Sequence, residues 1–235
     1  MKRLIGLDLD GTLTQHRSPL DAVHRALLDA LGKKYKIIIV AAGNAPRVYA
    51  QMDRYPIDII ANYGMQESRM IDGKFTIVRD DKVAADRRFF ISETDYLRRK
   101  YGYTEYSGES LEFHESGMVT FPLLGTKAAI KDKIAFDPDR RKRHVLYPEV
   151  CEIFKDYSVF IGGSSSFDIT PKQNNKFGAM MRYGAENGYE LDEMLYVGDD
   201  FGDGGGDCDI RLGGMDYIAI DDYRRSPEQL KYLIS

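Results

Sequence analysis

The 235-residue sequence has no tryptophan and only two cysteines, four histidines and eight prolines. Cys151 and Cys208 stand far apart with no C-x-x-C pattern, and no histidine falls at zinc-ligand spacing. Neither a disulfide framework nor a structural zinc site is expected, and a reducing, cytoplasmic setting fits this cysteine usage. Long hydrophobic runs are absent too. The apolar start of the chain is broken by Asp8 and Asp10 before it could form a secretion signal, and the run Ile37 to Ala42 is far below the roughly 20 residues that span a bilayer. No membrane association is expected. Neither sign of charge dominates: 33 Lys and Arg against 37 Asp and Glu leave a formal −4, which argues against nucleic-acid binding driven by phosphate contacts. What remains is 43% hydrophobic and 30% charged, enough to fold a core and too little polar bias for long disorder.

Short β-branched runs, Lys2 to Leu7, Lys36 to Val40 and Ile57 to Ala61, read as buried strands. Between the first two, Leu20, Val23, Leu27, Leu28 and Leu31 recur at helical spacing, with Ser18 as N-cap and Gly32 as stop. Pro46 to Met52 gives a shorter helix. This alternation predicts a parallel sheet with helices on both faces. The pattern returns late in the chain: Asn174 or Asn175 caps a helix carrying Phe177, Met180 and Met181, Met194 to Val197 and Tyr217 to Ile220 read as strands, and Ser226 opens a last helix. In between, Leu111 to His114 and Met118 to Phe121 alternate across a Glu115-Ser116-Gly117 turn as an antiparallel hairpin does, with helices from Ser92 to Lys100 and Asp139 to Phe154. The organisation expected is an α/β core, residues 1–79 and 171–235, interrupted by an α+β insertion over residues 80–170. Within that insertion the basic runs Arg98-Arg99-Lys100 and Arg140 to Arg143 read as solvated helix faces. His16, His24 and His144 have no evident partner.

The chemistry concentrates at strand ends. Asp8-Leu9-Asp10-Gly11-Thr12 follows the first strand, where open α/β sheets assemble their sites. Two acids one residue apart, followed by a glycine that permits a tight loop, can turn one carboxylate toward a phosphorus atom and both toward a divalent cation. Leu195 to Asp200 reads as another strand end, followed by the acidic, glycine-rich Phe201 to Asp207.

Asp8-Leu9-Asp10-Gly11-Thr12-Leu13 resembles the first motif of the haloacid dehalogenase superfamily, most of whose members are phosphatases and phosphomutases. The resemblance implies a three-layer, doubly wound Rossmann-like core with an inserted antiparallel α/β cap, and an Mg²⁺ ion. It implies that Asp8 is the nucleophile of an aspartyl-phosphate, and that Asp10 protonates the leaving oxygen and later activates water. Gly11 and Thr12 would bind phosphate beside it. Gly198-Asp199-Asp200 resembles the fourth motif: Asp8, the Asp10 carbonyl and Asp199 would hold the metal, with Asp203 or Asp207 as a further acid. Lys176 matches the third-motif lysine that neutralises the nucleophile and the phosphoryl group. The second motif departs from the pattern, because Ala41-Ala42-Gly43-Asn44 lacks the usual Ser or Thr; Gly43 and Asn44 are the expected substitutes for binding the phosphoryl oxygen.

Gly162 to Pro171 resembles the G-G-x-x-S-F-D-x-x-P segment of α-phosphomannomutases, and Glu112-Phe113 and Gly117-Met118 match their cap hairpin. This implies that Ser166 and Asp168 touch sugar-like hydroxyls and that Arg17 orients the substrate. The arginines that clamp a second phosphate in that branch are missing: His114, Thr126-Lys127 and Ser107 stand in or near their places. A histidine does not replace a permanently charged, bidentate guanidinium at neutral pH. The expectation is therefore an Mg²⁺-dependent phosphatase of a small phosphorylated metabolite of the sugar-phosphate class. A phosphomannomutase-type isomerase is the alternative, and a phospho-ligand-binding module of weak activity the third reading. A homodimer is compatible with the sequence.

Overall fold

The computed structural model describes residues 1–235, which divide into two units: Met1–Asp80 with Asn175–Asp203 and Asp207–Ser235, and Asp81–Asn174 with Gly204–Gly206. The first unit is built on a seven-stranded sheet. Its strands β1 (Leu4–Leu7), β2 (Lys36–Val40) and β3 (Asp58–Ala61) are separated by helices α1 (Ala22–Leu31) and α2 (Ala45–Gln51). Two further strands, β4 (Gln66–Ile71) and β5 (Lys74–Asp80), complete one edge. After the second unit the chain returns through α6 (Lys176–Asn187), β10 (Met194–Gly198), α7 (Cys208–Leu212), β11 (Tyr217–Ala219) and the short helices Ser226–Gln229 and Lys231–Ile234. The strand order is β11-β10-β1-β2-β3-β4-β5.

Strands buried on both faces need apolar residues or glycine at every position, and this is what β1, β10 and, after the exposed Lys36, β2 provide. Ile5, Leu7, Ile37, Ile39, Ile59, Leu195 and Val197 point to one face and pack with Leu27, Leu28 and Leu31 of α1 and Val48 of α2. Leu4, Ile38, Val40, Ile60, Met194 and Tyr196 point to the other, against Ala179, Met180 and Tyr183 of α6. Each such fully buried aliphatic side chain contributes about 1.5–3 kcal/mol of transfer free energy. Because β1 lies between β2 and β10 while the chain moves outward in both directions from it, the loops after β1 and β10 open side by side at the carboxyl ends of the strands.

Three local expectations need correction. Asp21, not Ser18, caps α1, its carboxylate accepting from the His24 N–H at 2.9 Å, whereas Gly32 follows the last residue of the helix as expected, with φ −62°. His24 is buried and has partners on both ring nitrogens, Asp21 Oδ1 at 2.7 Å and the Tyr223 carbonyl at 2.8 Å. The core sheet is mixed, because β4 pairs antiparallel with β3 and β5 with β4. The β4–β5 turn is Asp72-Gly73 with both residues at positive φ, 50° and 73°, the geometry that matches the twist of a two-residue hairpin.

The second unit holds α3 (Arg87–Tyr101), β6 (Glu112–Phe113), β7 (Val119–Pro122), α4 (Ile130–Phe136), α5 (Arg141–Ile153), β8 (Tyr157–Phe160) and β9 (Ser166–Pro171). Its four strands form an antiparallel sheet in the order β6-β7-β9-β8. One face packs Phe121, Phe167, Val159 and Ile169 against Phe90, Leu97, Leu146, Val150 and Phe154 of the helices and their flanks. Arg98 and Arg143, read from sequence as solvated, are buried. Arg98 donates to the carbonyls of Tyr103, Ser110, Pro122 and Leu123, and Arg143 pairs with Asp137 at 2.9 Å and donates to the Gly162 carbonyl at 2.9 Å. A guanidinium fork can satisfy several backbone acceptors at once, which is why these two basic positions turn inward. The unit runs to Asn174 and takes in Gly204–Gly206, three glycines the sequence reading assigns to the core. The Gly204 carbonyl accepts from the Ile161 N–H at 2.7 Å.

Candidate active site

The loop after β1 is shaped by its own backbone. Leu9's carbonyl accepts the N–H groups of Thr12, Leu13 and Thr14, and the Gly11 N–H returns to the Thr14 carbonyl at 2.8 Å. Gly11 has φ +94°, and a Cβ there would overlap the Asp199 carboxylate arriving from the loop after β10. Glycine at this position thus serves both the turn and the close approach of the two loops. Thr12, buried, donates its hydroxyl to Asp199 Oδ1 at 3.3 Å. The N–H groups of Gly11 and Thr12 are engaged inside the loop, so the phosphate contacts expected from them are not offered by these amides.

At the centre is a buried ion triplet. Lys176 Nζ lies 3.0 Å from Asp8 Oδ1 and 2.8 Å from Asp207 Oδ1. Lys176 is the first residue of α6, capped by the Asn175 side chain, which accepts from Gly178 N–H at 2.7 Å. A cation at a helix start opposes the dipole, and the two carboxylates offset that. Burial acts to lower the Lys176 pKa, but Asp207 and then Asp8 more than counter it, so the ammonium is held charged above its ordinary range. Burial pushes the Asp8 carboxyl well above the usual carboxylate range, with Lys176 pulling the other way. Asp207 has both oxygens engaged: Oδ1 also accepts from the Tyr196 hydroxyl at 2.8 Å, and Oδ2 from the Asp200 N–H at 3.0 Å.

Asp10 is held from a different side. Its Oδ1 accepts from the Arg17 N–H at 2.7 Å and from Gln51 Nε2 at 2.7 Å, and its Oδ2 lies 3.6 Å from Arg47 Nη2. Neither Arg47 nor Gln51, an i, i+4 pair on α2, stands out in the sequence. The only signal is that two polar residues on a seven-residue helix share one face. Tyr196 was equally hidden, reading as one more apolar strand residue.

Carboxylate oxygens of Asp8, Asp199 and Asp207 all lie within 4.8 Å of one another. Hard oxygen donors on two adjoining loops fit a divalent cation of the magnesium type. Because Asp207's oxygens already receive three protein donors, its place is that of a support for Lys176. Asp203 is not part of this group: its side chain is 88% exposed and pairs with Arg211 at 3.3 Å. The acidic loop turns it outward after Phe201 stacks on Tyr217. Asn44 serves as N-cap of α2, its side-chain oxygen accepting from the Arg47 N–H at 2.9 Å, while the Gly43 carbonyl accepts from Asn62 N–H. Arg17 reaches Asp10 through its backbone, with its side chain exposed. Ser166 and Asp168 lie in the second unit: the Ser166 hydroxyl donates to the Gly162 carbonyl at 3.0 Å, and Asp168 accepts from Thr120 at 3.0 Å. His114 in turn contacts the Thr120 hydroxyl at 3.1 Å.

No protein-family model matches the chain. Solved structures do. An IMP-bound, N-terminally truncated IMP-nucleotidase of Plasmodium falciparum aligns with a TM-score of 0.68 at 12% identity, over 99% of this chain and 68% of that one. A phosphatase of the haloalkanoate dehalogenase superfamily from Bacteroides thetaiotaomicron aligns at 0.59 and 15%, over 99% and 95%. The chain has the haloacid dehalogenase fold. A trehalose-6-phosphate phosphatase related protein aligns at 0.53 and 18% identity, over 98% of this chain and 96% of its own. Asp8 and Asp10 stand on the loop after β1 of that fold, and Asp199 on the loop after β10. No helix is long and apolar enough to cross a membrane.

Proposed function

We propose that this protein is an Mg²⁺-dependent phosphatase that hydrolyses a small phosphorylated metabolite of the sugar-phosphate class through an aspartyl-phosphate. The observation that carries the reading is the placement of Lys176 between Asp8 and Asp207, with Asp199 beside them and Asp10, on the same loop as Asp8, held separately by Gln51 of α2 and the Arg17 N–H. Covalent catalysis needs an ionised carboxylate; burial pushes the Asp8 carboxyl up, and Lys176 Nζ, 3.0 Å from its Oδ1, pulls the other way, as magnesium would when bound. Asp8 attacks phosphorus while Asp10 gives its proton to the departing alcohol oxygen. Asp10, now a carboxylate, then takes a proton from water as the water attacks the phosphorus of the aspartyl-phosphate, releasing inorganic phosphate and freeing Asp8. Magnesium, bound by Asp8, the Asp10 carbonyl and Asp199, would supply positive charge against the phosphoryl oxygens. Lys176 contributes a second fixed charge, and preorganised charge is the main protein contribution to phosphoryl transfer.

Hydrolysis is preferred to isomerisation because the place of a phosphate-clamping arginine is taken by His114, whose ring nitrogen is in contact with Thr120. A screen of phosphorylated metabolites with Mg²⁺, reading released phosphate and isomer formation separately, tests the assignment. Phosphate release abolished by Asp8→Asn, with the melting temperature preserved, is the expected outcome. Turnover that survives Asp8→Asn would remove the nucleophile assignment; isomer formation dependent on a sugar bisphosphate would favour the mutase, and saturable binding without release the ligand-binding module.

A further inference from the structure

The missing hydroxyl after β2 leaves a gap that an arginine fills. Ala42 offers no side-chain donor, and Asn44 spends its side-chain oxygen capping α2. Directly over Gly43 lies the guanidinium of Arg47: a Cβ on Gly43 would occupy the space of its Nη2, Cζ and Nε atoms. Gly43 is not in a left-handed conformation, so its lack of a side chain answers the need for room rather than for backbone freedom. The guanidinium is fixed from the other side by Gln51, whose Oε1 accepts from Nη1 at 2.7 Å. The Gln51 amide nitrogen donates to Asp10 Oδ1 at 2.7 Å and to the Thr14 hydroxyl at 3.0 Å, tying the cation to the acid loop. Arg47 Nη2 stands 3.6 Å from Asp10 Oδ2, an ion-pair distance beyond hydrogen-bonding range, and the side chain is one-third exposed.

We propose that Arg47 binds the phosphoryl oxygen in place of the absent hydroxyl, and that Gln51 is the positioning residue that holds its guanidinium over Gly43 beside Asp10. The inference rests on the phosphatase reading for the identity of the bound group and deepens it. A phosphoryl group entering among Asp8, Asp10 and Asp199 meets a surplus of negative charge, and a guanidinium presents a planar pair of charged donors to two of its oxygens. A neutral hydroxyl offers one donor and no charge. The exchange therefore favours a doubly charged phosphate monoester over a singly charged phosphodiester.

The test uses inorganic phosphate as the probe, by calorimetric titration of the full chain with Mg²⁺ and by product inhibition. Arg47→Ala is expected to weaken phosphate binding about 10- to 100-fold, the range for losing charge-assisted hydrogen bonds. Gly43→Ala should reproduce that loss with Arg47 still present, because the methyl displaces only the far end of a flexible side chain. Gln51→Met should raise KM and the phosphate constant together without lowering the melting temperature. Adding Ala42→Ser to Arg47→Ala should recover part of the affinity. Unchanged phosphate binding in a folded Arg47→Ala, or in Gly43→Ala, overturns the proposal. Should Arg47→Ala fold poorly, Arg47→Lys decides by the same titration, since it keeps the charge and loses the planar fork: full affinity would overturn the bidentate contact. Wild-type chain that binds phosphate but releases none from any monoester would defeat the phosphatase reading while leaving Arg47 as a phosphate ligand.

Discussion

Removing Lys176 leaves two buried carboxylates without their shared counter-charge. Lys176→Met is expected to destabilise the chain by about 3–5 kcal/mol and to abolish phosphate release, whereas pairing it with Asp207→Asn should restore much of the stability and none of the activity. Urea denaturation of the single and double variants, run beside the phosphate assay, measures both. Legibility at this scale depended on where a residue sits in a motif. Asp8, Asp10, Lys176 and Asp199 were singled out because they stand at strand ends and a capped helix start in the order of the motifs the sequence resembles. Asp203 and Asp207 were indistinguishable in sequence, since a glycine-rich loop gives no period from which to tell an outward acid from a buried one. Arg47, Gln51 and Tyr196 meet the acids through contacts between elements, so little beyond the shared helix face of the first two marks them locally.

Among the elements, β2, β3 and α6 share a polar knot. Asp58 at the start of β3 accepts from Lys36 Nζ at 2.7 Å, from Met70 N–H at 2.9 Å and from the Tyr183 hydroxyl at 2.8 Å. Burial alone would raise the Asp58 pKa; these three donors outweigh it and hold it below the ordinary carboxylate value. A depressed folded pKa means that its stabilisation is fully present above about pH 4, the unfolded value, and is lost as pH falls through the folded one. Asp58→Asn should cost about 1–3 kcal/mol at pH 7 and flatten the acid limb of a stability-against-pH curve. An unaltered acid limb would show that the knot contributes nothing. The elements themselves were legible where periodicity was clean, as in β2, whose expected span Lys36–Val40 is the one observed. The β4–β5 hairpin escaped although Asp72-Gly73 is a strong turn signal, because β5 is an edge strand with Ile77 and Val78 exposed and lacks the two-sided apolar run that marks its neighbours. Arg98 and Arg143 were misread for the converse reason: charge in sequence says nothing about the carbonyls a fold gathers around it.

At the scale of the whole molecule, chain segments from both ends of the sequence meet on one sheet, and the acids they carry should make folding depend on the cation. Addition of Mg²⁺ at about 100 times its dissociation constant is expected to stabilise the chain by about 2.7 kcal/mol, raising the melting temperature by roughly 5–10 °C. Asp199→Asn should erase most of that rise, and Asp203→Asn should leave it intact. A melting curve indifferent to Mg²⁺ would mean that Asp8 and Asp199 do not form a cation site. The alternation of strands and helices already pointed to this architecture, and the appended antiparallel strands were the part it did not show.

Asp58 and Lys36 stand where β3 and β2 begin, whereas Asp8 and Asp199 follow the finishing ends of β1 and β10. A four- or five-residue strand spans about 13–17 Å, so the salt-linked knot and the acids Asp8 and Asp199 lie at opposite poles of the sheet. Hardening one pole therefore need not blunt the other. Random mutagenesis for heat tolerance should gather its neutral gains around Asp58, while selection for a new substrate is free to rewrite the loops at the far side without first dismantling what keeps the chain folded.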